Sequence, residues 1–148
     1  MSEPPSGSMV FDTSVLIEIV RGSKAGLALK QALEAGSLSA HATEMNLFEL
    51  RYLTCRREGW DKSSEVDRNL RDSAYFRVHD AHQFLEVAAR LKCERSMSLV
   101  DCVTMAAGEA LAMPVLFAKH EGELDVEIKR KPFKTELRFL EDMQKDPE

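Results

Sequence analysis

The sequence predicts an α/β protein: a three-layer α/β/α sandwich built on a central, mainly parallel sheet of four to five strands. Short apolar runs alternate along the chain with longer segments whose apolar residues recur every three to four positions. Regular strand–helix alternation favours crossover connections, and hence parallel pairing covered on both faces. The length, 148 residues, with 44% hydrophobic and 30% charged side chains, suits one domain with a sizeable core.

Residues 1–8 (MSEPPSGS) are polar and rich in Pro, Ser and Gly, and are assigned to a disordered tail or tag remnant. The domain is expected over residues 9–143, with 144–148 as a frayed end. Met9-Val-Phe reaches Asp12 and two hydroxyl residues, the pattern of a buried strand feeding a helix N-terminus. That helix is expected over 15–20, stopped by Gly22, and a second over Lys24–Ala35, closed by Gly36. Residues 37–42 make a second strand. Thr43 then starts a helix to Arg57 whose apolar side is Met45, Leu47, Phe48, Leu50 and Leu53, with Gly59 as its end. A polar amphipathic helix over 61–72 and a short strand over 75–78 follow. Residues 81–94 form a helix, and Ser98 caps another, small and apolar, over Leu99–Leu111. Residues 113–118 read as a buried parallel strand with Pro114 at its edge. The chain is then polar to Lys131, and 135–143 is assigned to a last helix with Leu137 and Leu140 on one side.

Several function classes are excluded. No apolar run approaches the ~20 residues that cross a bilayer, and the first ten residues have no basic start or apolar core of a leader, so no membrane partner is expected. Three scattered cysteines, Cys55, Cys93 and Cys102, have no metal-ligand spacing and point to a reducing, cytoplasmic setting. There is no Gly-rich phosphate loop and no Asp-x-Asp pair after the first strand, which argues against other small phosphate-ester enzymes.

Sites in open parallel sheets lie just past the carboxyl ends of the strands. Asp12 ends the first strand, Asp101 opens the helix before the Pro114 strand, Glu121 follows that strand, and Glu49 lies in the first half of the Thr43 helix. Clustered carboxylates repel one another unless protonated or neutralised by cations. Oxygen ligands without His or Cys favour Mg²⁺ or Mn²⁺. Each acid also has an ordinary structural reading. Asp12 caps the helix it precedes, Asp101 completes a Ser98-x-x-Asp101 capping box, Glu49 lies on a solvated face, and Glu44, Glu121 and Glu123 are helix-dipole or loop charges. His41 and His79, beside strands, read as neutral core or rim histidines, and Arg51, Lys119 and His120 as solvated cations or phosphate contacts.

Four passages together resemble the PIN-domain ribonucleases, particularly prokaryotic toxins of the VapC type. Val10-Phe-Asp-Thr-Ser-Val-Leu-Ile17 is similar to the family's opening strand with its first metal-binding Asp. Thr43-Glu-Met-Asn-Leu-Phe-Glu-Leu50 is similar to the helix bearing its Glu, and the hydroxyl residue six before the acid selects Glu49, with Glu44 second. Ser98-Leu-Val-Asp-Cys-Val-Thr-Met-Ala-Ala107 resembles the helix start with the third acid, and Met113-Pro-Val-Leu-Phe-Ala118 the late strand. The fourth acid departs: Phe117-Ala-Lys119 stands where the family commonly has Thr-x-Asp, leaving Glu121, or else Glu123, to supply the carboxylate.

The resemblance implies metal-dependent cleavage of single-stranded or structured RNA, with Mg²⁺ or Mn²⁺ held by Asp12, Glu49, Asp101 and Glu121 and with Thr13 or Ser14 orienting a ligand. It also implies a homodimer and a small antitoxin protein whose tail enters the acidic groove, with the 61–72 and 81–94 helices as contact surfaces. The competing reading is a PIN fold whose site has decayed into a non-catalytic interaction module. The net charge of −5 opposes nucleic acid at first sight. Setting the four proposed ligands aside, however, leaves 21 of the 25 acids against 20 bases, so most of the excess is what a metal site needs. Arg51, Arg56, Arg57 and Lys129-Arg-Lys131 are then the candidate backbone contacts.

Overall fold

The computed structural model describes residues 5–143. These form a five-stranded sheet, order β3-β2-β1-β4-β5, with every neighbouring pair parallel. Its strands are β1 (Gly7–Phe11), β2 (Leu38–Thr43), β3 (Phe76–His79), β4 (Val115–Phe117) and β5 (Leu137–Phe139). The helices are α1 (Thr13–Arg21), α2 (Lys24–Ala35), α3 (Glu44–Glu58), α4 (Trp60–Asp72), α5 (Leu85–Glu94), α6 (Leu99–Leu111), α7 (Gly122–Arg130) and α8 (Leu140–Met143).

Strand alternation explains the layers. Met9 and Phe11 of β1 face one core with Leu16, Leu29, Leu47, Leu50, Val66 and Leu70 from α1 to α4. Val10 points the other way, into a core with Phe84, Val103, Ala106, Phe117, Leu124 and Phe139. Left-handed Gly22 and Gly36 close α1 and α2 with amides bonded back to the last turn, as expected. Gly26 lets α2 lie against α1, because a Cβ there would press into the Glu18 carbonyl.

The structure corrects four expectations. β1 begins at Gly7, two residues before Met9, because Gly7 and Ser8, assigned to the tail by composition, pair with Leu38 and Ser39. Residues 1–4 of that tail, and the frayed end 144–148, lie outside the described residues. The polar stretch after Ala118 contains a helix, α7, whose buried side includes Glu127, paired with Arg95 at 3.8 Å and Arg130 at 2.9 Å. Leu137 belongs to a strand rather than a helix: Val115 and Phe117 of β4 register against Leu137 and Phe139, and only Leu140–Met143 is helical. Phe48 does not join the apolar side of α3 but stands 62% exposed. No helix among the described residues is long and apolar enough to cross a membrane.

Candidate metal centre

The strand order reverses direction between β1 and β4, the place where chain connections diverge and a crevice opens at the carboxyl ends. Asp12 sits there. Its amide bonds Leu116 O at 2.9 Å, its Oδ2 accepts the Ser14 amide at 3.0 Å as the cap of α1, and its side chain is buried. Its Oδ1 is buried with no hydrogen-bond partner. Burial lifts its pKa from 3.8 to about 6, and the charges of Glu49 and Glu121 lift it further against the Ser14 hydrogen bonds.

Asp101 stands in the first turn of α6, behind the Ser98 cap, whose Oγ accepts its amide at 3.1 Å. Burial, then the charges of Asp12, Glu121 and Glu49, raise its pKa to about 7. The four acids picked from the sequence therefore lie within electrostatic reach of one another. Asp12 is fully enclosed, Asp101 and Glu49 are partly covered, and Glu121 is exposed at the N-cap of α7, where its side chain makes no capping bond.

The alternative acids are placed elsewhere. Glu44 is clamped by both terminal nitrogens of Arg71 from α4, at 2.9 and 2.8 Å, which holds its carboxyl below the usual range. Glu123 is exposed in the first turn of α7, where its charge acts on Cys102. His41 and His79 meet ring to ring across β2 and β3, with Nδ1 and Nε2 2.8 Å apart, and burial lowers both pKa values, so they are neutral. His120 has carboxylate partners instead of a free edge: Asp125 at 3.0 Å and Asp142 at 2.7 Å, over the Phe139 ring. Of the basic run 129–131, Arg130 is bonded to Glu127, and Lys131 lies 3.5 Å from Glu94.

One organising residue escaped the sequence reading. Asn46, fully buried, donates Nδ2 to Thr13 Oγ1 at 3.2 Å and Thr104 Oγ1 at 2.9 Å. Its Oδ1 accepts from the Thr43 amide and hydroxyl. One amide thus ties together α1, α3 and α6, the helices that carry the acids or follow them. The Thr43-x-x-Asn46 spacing of a capping box was the available signal. Ser14 has two roles: its amide and hydroxyl hold Asp12, and its Oγ accepts the Ala118 amide at 3.0 Å, fastening the end of β4 to the β1–α1 turn.

The donor set fits a hard divalent cation. It is all carboxylate, its members raise one another's pKa, and its most enclosed oxygen, Asp12 Oδ1, is unpaired. Among the described residues, a tighter group of three ligand atoms, within 4.8 Å of one another, occurs at His120, Glu141 and Asp142, beyond β4.

Residues 9–121 match the PIN domain family. No curated protein sequence matches the chain. In fold, the chain is similar to VapBC2 from Rickettsia felis, solved bound to a DNA fragment from its promoter: TM-score 0.65, 12% identity, covering 90% of this chain and 98% of that one. It is similar to VapC20 of Mycobacterium tuberculosis, a sarcin-ricin loop cleaving toxin (TM-score 0.56, 20% identity, 80% and 93% covered). FitAcB from Neisseria gonorrhoeae gives a TM-score of 0.58 at 14% identity, with 88% and 96% covered. At these identities the likeness is one of fold.

Proposed function

The chain belongs to the PIN domain family, and from that premise we propose that it is a Mg²⁺- or Mn²⁺-dependent endoribonuclease acting on single-stranded RNA, the toxin of a VapBC-type pair. One observation carries this reading. The charges of Glu49 and Glu121 act on Asp12, those of Asp12, Glu121 and Glu49 act on Asp101, and Asp12 Oδ1 is buried without a partner.

When bound, Mg²⁺ or Mn²⁺ neutralises phosphodiester oxygens and lowers the pKa of an attacking water. Asp12 and Asp101, the more enclosed of the four, would hold the cation, with Glu49 of α3 and Glu121 at the start of α7 as further carboxylate ligands. Ser14 holds Asp12 through Oδ2, which leaves Oδ1 as the oxygen that would bind a cation. Asn46 keeps the starts of α1, α3 and α6 in mutual register, which sets the distances between the acids. Asp101, its pKa raised to about 7 by burial and the neighbouring carboxylates, would have to give up its proton to serve as a ligand.

The test is cleavage of single-stranded RNA with and without Mg²⁺ or Mn²⁺ by the native chain and by Asp12→Asn. Loss of at least a hundredfold in the variant and on metal removal is expected; equal activity in both proteins overturns the reading. The second reading is a decayed, non-catalytic module, and it draws on the exposed Glu121 and on Lys119 at the family's Thr-x-Asp position. Mn²⁺ titration separates the two, because a decayed site has no Mn²⁺ binding that depends on Asp101. As partners we propose a second copy and a small antitoxin on α4 and α5, with an antitoxin arginine reaching the acids, in the cytoplasm.

A further inference from the structure

The outward face of α3 carries an aromatic pair for which the fold has no use. Phe48 is 62% exposed, and its ring meets that of Tyr52 edge to face with centroids 5.7 Å apart. The Arg56 guanidinium lies 5.0 Å over the Tyr52 ring. At 3.6 residues per turn, Phe48, Glu49, Tyr52 and Arg56 share one side of the helix, while Leu47, Leu50 and Thr54 take the buried side. The stripe therefore starts at a carboxylate of the metal centre, continues through two rings, and ends on a cation. The rise from Glu49 to Arg56 is about 10 Å.

Unpaired RNA is bound by such a combination: π-faces for bases and guanidinia for phosphates. Neighbouring cations reinforce it, since Arg51 lies on the same helix 4.2 Å from the Trp60 ring, and Arg57 follows Arg56. A second protein copy suits the stripe less well. The core of a stable protein interface is depleted of charge, whereas this stripe carries Glu49 at one end and Arg56 at the other.

We propose that Phe48 and Tyr52 are the stacking platform for an unpaired nucleobase next to the cleaved bond, with Arg56 on the phosphate beyond it. This rests on the ribonuclease reading above and names where its substrate lies. Because Phe48 is exposed, its replacement leaves the core intact.

Steady-state cleavage of an unstructured oligoribonucleotide in Mn²⁺ tests the proposal with the native chain, Phe48→Ala and Phe48→Trp. Phe48→Ala is expected to raise KM about tenfold with kcat within twofold, the scale of one lost base–aromatic stack, and Phe48→Trp to keep the native KM. An abasic residue beside the cleaved bond should raise KM for the native chain and add nothing in Phe48→Ala. An unchanged KM in Phe48→Ala overturns the proposal while the nuclease reading stands. So does a change of mass by light scattering that accounts for the loss, since the rings then join copies of the chain. If the native chain cleaves no RNA, the nuclease reading fails, and anisotropy of the same labelled RNA in Ca²⁺ decides. Binding weakened about tenfold by Phe48→Ala upholds the platform; equal or absent binding overturns it.

Discussion

One oxygen of Asp12 accepts the Ser14 amide at 3.0 Å and so starts α1, while the other is buried unpaired. The capping reading and the metal reading of this residue are both compatible with the geometry, because they use different oxygens. The arrangement has a thermodynamic sign. Asp12 is raised from 3.8 to about 6 and Asp101 to about 7, so the native state keeps protons that the unfolded chain releases. Their contribution is complete below about pH 4 and is lost as pH rises through 6 to 7. Without divalent cations, denaturant unfolding should show stability falling between about pH 4 and pH 7. Asp12→Asn should flatten that slope and be more stable at pH 8 by roughly 3 kcal/mol. Parallel profiles for the two proteins would remove burial of this charge as the cause. Mn²⁺ at pH 8 should raise the melting temperature of the native chain and not of the variant.

At the scale of elements, helix starts were legible and helix faces were not. Thr43 and Ser98 were recognisable as caps because a short hydroxyl before an apolar period has a local job. Phe48 misled, since periodicity assigns any large apolar residue to the core, and a ring reserved for the outside has the same spelling. Asn46 escaped notice for the opposite reason: a polar residue in the first turn of a helix carries no core signal, yet three buried threonine hydroxyls satisfy it. Asn46→Leu removes those bonds and leaves the buried Thr43 and Thr13 hydroxyls without this partner, while Thr104 keeps its bond to Val100 O, so a loss of about 2–4 kcal/mol in denaturant unfolding is expected. A loss under 1 kcal/mol would mean the three helices are held by packing alone.

For the whole molecule, the part hidden from the sequence is the strip beyond β4. α7 was missed because its buried stripe, Leu124, Glu127 and Ile128, includes a charge. Pairing with Arg130 one turn on and with Arg95 across the fold makes that charge tolerable. β5 was missed because Leu137 and Leu140 fit a helical spacing, and three residues are too few for period alone to decide; β4 supplies the register. Buried Arg95 holds this strip, donating to the carbonyls of Glu127, Lys131 and Pro132 and lying 3.8 Å over the Phe133 ring. Arg95→Ala should therefore lower amide-exchange protection across residues 122–133 while β1 and β2 keep theirs. Uniform loss across the sheet would show that the strip and the sheet open as one unit.

Ala118 is gripped from both sides: its amide by Ser14 Oγ at 3.0 Å, its carbonyl by the Glu141 amide at 3.1 Å. Ser14 in turn grips Asp12. The final strand and helix are thus mechanically in series with the innermost carboxylate, one residue away. Whatever displaces α8 therefore acts on the Asp12 carboxyl through Ala118 and Ser14, by hydrogen bonds alone.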